Sequence, residues 1–268
     1  MSATIPSQPT DKVTVERRGQ VVLIGINRPS FDNRIDPDTF SALARAYFDY
    51  DNDSSLRSAV LFGHGPCFSR GIDVDAYSEL ARSGRSFVLQ DNMTDPLATG
   101  GRLQKPLIVA THGDTWNMAH ELHLVGDIRV TSRDAQFGQD EASHGRFPGG
   151  GSTVRFVREV GWANAMRYML TGDHWDATEA FRMGEVQFIT DDAQGALDMA
   201  LQIASRVAQC APLGVTTTLA SAHLAIDKSE SEALGSLSAQ YGALYRTKDF
   251  VEGREAEAQG RPPHFQGR

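Results

Sequence analysis

The chain has 268 residues, of which 40% are hydrophobic and 22% charged, and a formal net charge of -8. That length suffices for one large domain with a substantial core, or a domain with a helical appendage. The acidic balance, with nothing more basic than the Arg17-Arg18 pair, argues against a nucleic-acid-binding protein, and no apolar run approaches membrane-spanning length.

In chain order, residues 1–10 read as a flexible polar tail with neither the basic start nor the apolar stretch of a signal peptide. Residues 13–16 and 21–26 read as two strands around the hairpin signal Arg18-Gly19-Gln20. Residues 36–51 place Phe40, Leu43, Ala44, Tyr47 and Phe48 at helical spacing, and 58–62 form a buried strand. Residues 75–104 look helical but broken, with Gly84, Pro96 and Gly100-Gly101 as interruptions. A buried strand then enters a glycine turn at Gly113, followed by a helix over 117–125 and a strand over 127–131. Short helices are expected at 152–160 and 163–170, a helix at 176–183 and a strand at 186–189. From Gly195 on the pattern is almost purely helical, over 196–208, 213–225 and 231–244, with a frayed tail to Arg268. The fold class is therefore α/β, with strand-strand-helix units followed by a helical module. The two cysteines, Cys67 and Cys210, set no disulfide framework or metal-ligand pattern, so a reducing, cytoplasmic setting is expected.

The stretch 105–151 places two glutamates where a carboxylate is costly unless it does chemistry. Glu121 lies on the helix that follows the glycine turn, on the same face as Met118, an arrangement that holds its carboxylate near the Met118 N–H. Its bland reading is a first-turn glutamate complementing the helix dipole. Glu141 lies in a Gly- and Pro-rich loop ahead of a helix that Ser152 or Thr153 is expected to cap. Loop glutamates are usually just solvated. A strand, a glycine turn and a helix start together present free N–H groups suited to an anionic oxygen. His120 and His123 on one helix raise the question of a metal, but no third ligand stands at a suitable spacing. His144, three residues after Glu141, could tune it. Gly149, Gly150 and Gly151 lack the Lys-Ser/Thr ending of a phosphate loop.

Several short elements carry a family resemblance. They are Asn27-Arg28-Pro29 with Asn33, Phe68-Ser69-Arg70-Gly71-Ile72-Asp73, Lys105-Pro106 with its strand, Asp127-Ile128-Arg129, Phe137-Gly138-Gln139-Asp140-Glu141, and Pro148 to Gly151. Their order and spacing, over residues 12–268, resemble the crotonase superfamily, the enoyl-CoA hydratase/isomerase family. The resemblance implies a spiral core of repeated ββα units over 11–205 and a helical module over 206–268 that joins subunits into a homotrimer or homohexamer. It implies acid/base roles for Glu121 and Glu141, and an oxyanion hole from the backbone N–H groups of Ile72 and Met118. Phe31, Arg70, Gly71, Asp73 and Trp116 map to substrate binding, with Arg28, Arg34, Arg70 and Arg261 as candidates for the coenzyme A phosphates. Coenzyme A would be part of the substrate, with no cofactor and no metal.

The expected reaction is hydration of a 2-enoyl-CoA. Isomerisation, for which one carboxylate at Glu141 can suffice, carbon–carbon bond hydrolysis, and a catalytically silent CoA-binding subunit are the alternatives. The chain departs from the family at Arg70-Gly71-Ile72-Asp73 and at Asn117-Met118-Ala119, where many members carry small residues or three glycines. Met118 works as a donor only if its position needs ordinary helical dihedrals.

Overall fold

The computed structural model describes residues 11–83 and 88–268. The expected tail at 1–10, and residues 84–87 of the expected broken helix, lie outside the described residues. Strands β1 (Val13–Arg18) and β2 (Val21–Ile26) form the expected antiparallel hairpin, with Arg18 opposite Val21. β2 then pairs in parallel with β3 (Ser58–Gly63), and β3 with β4 (Leu107–Thr111). After β4 the chain leaves this sheet for the short β5 (Asp114–Trp116) and returns as β6 (Ile128–Ser132). Together with β9 (Phe188–Thr190) the first sheet has six strands, in the order β1-β2-β3-β4-β6-β9.

Both faces of this sheet are covered, which is why β2, Val-Val-Leu-Ile-Gly-Ile, is buried along its whole length rather than alternating. On one face lies α1 (Pro37–Asn52), started by Pro37 and by the Asp36 carboxylate, which accepts the Thr39 N–H at 2.8 Å. Its Phe40, Leu43 and Tyr47 pack onto Ile24, Ile26 and Leu61. On the other face lies α7 (Ala193–Gln209), whose Ala196, Ala200, Ala204 and Ala208 repeat every four residues. That stripe of small side chains brings the helix close against Val60, Ile108 and Val130.

A second, three-stranded sheet has the order β5-β7-β8, with β7 at Gln136–Gly138 and β8 at His174–Asp176. Its strands are three residues each, too short for an alternating pattern to register in the sequence. Helices α3 (Met118–Val125), α4 (Ser152–Val160), α5 (Trp162–Thr171) and α6 (Ala177–Met183) gather around it. Phe137, Phe156, Tyr168 and Trp175 fill the core between them.

The broken helical region resolves into α2 (Val74–Arg82), while residues 88–104 are turns and extended chain rather than helix. Beyond α7 come α8 (Pro212–Asp227), α9 (Glu230–Leu244) and α10 (Lys248–Gln259). The tail expected to fray is instead pinned. Buried Asp249 accepts the N–H groups of Gln266 at 2.7 Å and Gly267 at 2.8 Å, and Arg57 donates to the Phe265 carbonyl. Among the described residues no helix is long and apolar enough to cross a membrane.

Candidate active site

Two turns distant in sequence meet beside α3. Residues 69–72 run along β5, where Ser69 and Trp116 exchange backbone bonds with Asp114 and Ser69 at 3.0 and 3.1 Å. Ile72 bridges Ile35 in parallel: the Ile35 N–H donates to Gly71 at 2.8 Å and the Asp73 N–H to Ile35 at 2.9 Å. That pairing turns the Ile72 N–H away from Ile35. Gly71 has φ of +80°, and a Cβ there would stand 2.5 Å from the Trp116 carbonyl and 3.2 Å from the Met118 nitrogen. The close approach of the two turns therefore requires glycine on both counts.

The sequence expects the helix to begin at 117, but Asn117 lies outside it, at φ 53° and ψ -121°. A residue with a Cβ is held there only when its surroundings over-determine it. They do so here. The Asn117 N–H donates to Gly138 at 2.8 Å, its carbonyl accepts from Gln139 Nε2 at 2.9 Å, and its Oδ1 accepts the Asp140 N–H at 3.2 Å. The glycine-like conformation thus falls on Asn117, and Met118 starts α3 as an ordinary helical residue. Its N–H is one of the donors a helix start leaves unpaired. Among the described residues neither this N–H nor that of Ile72 has a hydrogen-bond acceptor.

Glu121 follows one turn later and is only 3% exposed. Its Oε1 accepts the N–H of Gly150 at 2.7 Å and of Ser152 at 3.2 Å. Neither Ser152 nor Thr153 caps α4. Gly151 occupies the cap position without a side-chain bond, and the carboxylate of Glu121 supplies the anion at that helix start. A Cβ at Gly150 would collide with this carboxylate. Burial raises the Glu121 pKa, while the Ser152 and Gly150 N–H groups and the charges of His120 and Arg155 pull it back.

Glu141 is the first residue of a 3-10 turn, Glu141–His144, rather than of an irregular loop. It is 7% exposed, and among the described residues its Oε2 has no hydrogen-bond partner. Burial is the main reason its pKa is pushed up to about 7; its own N–H opposes the shift, and the negative charges of Glu121 and Asp140 add to it. His144 does not reach Glu141: its Nδ1 lies 3.0 Å from the Asp140 carbonyl and from Ser143 Oγ.

Ile72, Met118, Glu121 and Glu141 line one cavity of about 470 Å3, walled by Phe40, Leu97 and Phe147, with Arg146 beside Glu141 in sequence and on the same lining. The Leu97 wall is held by side chains rather than by a sheet. Asp95 accepts the N–H groups of Leu97 at 2.9 Å and Thr99 at 2.8 Å, and Arg155 donates to the carbonyls of Leu97 and Gly150.

The other residues singled out in the sequence adjoin the Gly71 turn without lining the cavity. Phe31 is 60% exposed, with the Arg28 guanidinium 4.9 Å from its ring centre. Arg70 lies 4.9 Å from the Trp116 ring and bonds Asp114 at 2.6 Å and Asp32 at 3.1 Å. Asp73 accepts the Ala76 N–H at 3.3 Å and pairs with Arg28. Of the four arginines considered for phosphates, Arg28, Arg70 and Arg261 have carboxylate partners, and among the described residues Arg34 has none. Asn33 earns its place in the sequence motif structurally: it is buried, and its side chain joins Arg28 to the carbonyls of His64 and Cys67. Among the described residues no group of three or more His, Cys, Asp or Glu side chains could hold a metal ion.

Sequence reasoning missed the Gly150 and Ser152 N–H groups as partners of Glu121. The available signal was a glycine run ahead of a helix start, which leaves N–H groups open to an anion from elsewhere. It also missed Arg155, which looks like one more arginine on a helix and is in fact half-buried against the Leu97 wall.

Three comparisons bear on this site. Residues 16–268 match the family model described as enoyl-CoA hydratase/isomerase. An enoyl-CoA hydratase of Mycobacterium tuberculosis is 35% identical, with 99% of this chain and 100% of that protein covered. The 2,3-dehydroadipyl-CoA hydratase of Escherichia coli is 31% identical, covering 96% of this chain and 99% of its own. Among solved structures, a probable enoyl-CoA hydratase/isomerase from Mycobacterium abscessus superposes with a TM-score of 0.92 at 38% identity, covering 96% of this chain and 99% of that one.

Proposed function

The chain belongs to the enoyl-CoA hydratase/isomerase family, the crotonase superfamily, and from that membership we propose that it adds water across the double bond of a 2-enoyl-CoA thioester. The observation that carries this reading is the unequal treatment of two carboxylates in one cavity. Burial raises the pKa of both, but two backbone N–H groups pull Glu121 back toward its ionised form, whereas Glu141 is pushed up to about 7. Groups whose environments push their pKa values apart supply an acid and a base at the same pH.

In this reading the thioester carbonyl lies between the N–H groups of Ile72 and Met118. Glu121 takes a proton from water as the oxygen attacks the β-carbon. The electron pair moves to the carbonyl oxygen, where the two N–H groups meet the developing charge, each such donor contributing about 3 to 4 kcal/mol to barrier lowering. Glu141 then protonates the α-carbon, and both glutamates regain their starting states by exchange with solvent. The acyl chain lies against Phe40, Leu97 and Phe147. Among the four candidate arginines, Arg34 is the one left without a carboxylate among the described residues, which fits it to a coenzyme A phosphate. Carbon–carbon hydrolysis would call for His and Asp where Glu141 and Gly150 stand, and a Cβ at Gly150 would displace the Glu121 carboxylate.

Self-association belongs to the same reading. The C-terminal helices carry an apolar groove of about 710 Å3 between α8 and α9, with Leu234, Leu237 and Tyr241 exposed along it, suited to a second copy of the chain.

The test is loss of enoyl-thioester absorbance on mixing the protein with crotonyl-CoA and a longer 2-enoyl-CoA. Hydration that disappears in Glu141→Gln supports the reading. Tight binding of the thioester without turnover in the unaltered protein refutes it and favours a silent binding subunit.

A further inference from the structure

The helix that carries Glu121 also buries two histidines, His120 and His123, and between them and the second sheet lies Glu185; all three side chains are fully buried. His120 Nε2 is 2.9 Å from Glu185 Oε1, and Trp175 Nε1 donates to Glu185 Oε2 at 2.8 Å. His123 Nε2 stands further off, at 3.5 Å from Oε1, and burial holds its pKa well below the usual imidazole range, so it stays neutral. Arg129 closes the cluster from β6 by donating its Nε to the Glu185 carbonyl at 2.6 Å. Around His120 stand the rings of Phe156, Trp175 and Phe137, edge-on at 4.9, 5.1 and 6.2 Å.

A carboxyl in an aromatic box loses its hydration, and a well-packed aliphatic side chain would fill the space without that cost. Glu185 does not line the cavity, so no contact with substrate accounts for it. Its bonded partner, however, is the residue next to Glu121. α3 is only eight residues long and follows directly on the strained Asn117, so it needs lateral ties to hold its orientation. The cluster His120–Glu185–Trp175 is such a tie, and it joins α3 to β8 and to the chain between α6 and β9.

We propose that Glu185 is a positioning residue for the reaction: by holding His120 it sets the orientation of α3, and with it the Met118 N–H and the Glu121 carboxylate. The proposal rests on the hydratase reading above. Misplacing such groups by about 1 Å costs up to about 100-fold in rate.

The variant to make is Glu185→Gln, which keeps the volume and an acceptor for Trp175, with His120→Gln as its companion. Each is mixed with a 2,4-dienoyl-CoA, whose absorbance moves to longer wavelength when its carbonyl is polarised by hydrogen-bond donors. Expected are affinity within about 3-fold of the unaltered protein, a red shift reduced by half or more, and a kcat for enoyl-CoA hydration lowered about 10- to 100-fold. The double variant is expected to be no worse than either single one, because both break the same tie. A red shift and kcat at the unaltered level in the two folded single variants overturn the proposal, as does an additive double variant. Should the unaltered protein polarise the dienoyl-CoA without hydrating any enoyl-CoA, the hydration mechanism falls, and the red shift alone decides the positioning role. Should it bind no acyl-CoA at all, hydrogen exchange of the α3 amides decides: faster exchange in the variants supports the tie and unchanged exchange overturns it.

Discussion

Glu121 and Glu141 share a cavity, but Glu121 accepts two N–H groups from the 150–152 turn, whereas the Glu141 carboxyl is buried and among the described residues its Oε2 has no hydrogen-bond partner. The consequence for Glu141 is a pKa near 7 against an ordinary value of 4.5, so the folded protein holds a proton that the unfolded chain releases between those values. Folding stability contributed by this group is therefore lost as pH rises from about 4.5 to about 7. Glu141→Gln is expected to melt higher than the unaltered protein at pH 8 and equally at pH 4, while its hydration rate drops about 10²- to 10⁴-fold. In the unaltered protein kcat is expected to fall as pH rises through about 7, as the acid ionises. Equal melting curves at pH 8 would show that folding does not raise the Glu141 pKa. Gly150→Ala drives a Cβ into the Glu121 carboxylate, and a loss of about 10- to 100-fold in kcat is expected, read in the same absorbance assay. That the two glutamates belong together was legible from the Phe137–Glu141 motif and from the place of Glu121 on the helix after the glycine turn, and the structure brings both to one cavity. The partners of Glu121 were not legible, because backbone N–H groups twenty-nine and thirty-one residues away leave no side-chain signature. Asn117 was misplaced into the helix for a similar reason: its φ is imposed by the bond it donates to Gly138 and those it accepts from Gln139 and Asp140, not by its own preference.

At the scale of elements, strands read best where they are long and buried on both faces, as in β2 and β4. The three-residue strands of the second sheet have one buried centre each, Thr115, Phe137 and Trp175, and nothing local marks them as strands. Residues 88–104 carry apolar side chains at spacings compatible with a helix, but the N–H groups of Leu97, Thr99 and Gly100 go to Asp95, so the chain turns instead. A carboxylate competing for local N–H groups is what makes Asp poor inside helices. The C-terminal segment, expected as a frayed helical tail, is ordered by long-range bonds, chief among them those to the buried carboxylate of Asp249 on α10. Asp249→Ala is accordingly expected to leave residues 260–268 open to carboxypeptidase digestion under conditions where the unaltered chain resists, with little change in hydration rate. Equal resistance would assign the anchoring to Arg57 instead.

For the whole molecule, the α/β class and the helical C-terminus follow from periodicity, whereas the arrangement of two sheets with the site between α3 and the 141–150 turns does not. That arrangement is set by long-range bonds such as Tyr50 to Pro106 and Arg129 to Glu185. Leu234, Leu237 and Tyr241 fall at i, i+3 and i+7 on α9 and remain exposed, the pattern of a face that lacks its cover within one chain. Leu237→Glu is expected to lower the mass of the particle seen by light scattering to that of a single chain, 29.2 kDa. An unchanged mass would place the contact between copies elsewhere.

The wall around Leu97 has a further consequence. Because Asp95 and Arg155 hold it from its ends, and no strand of either sheet runs through it, exchange of its apolar residues is expected to reshape the cavity more than it moves the two glutamates or the N–H groups of Ile72 and Met118. The fold thus separates what is done from what it is done to. On the hydratase reading, substitution along this wall is expected to change the acyl group accepted while leaving the chemistry in place.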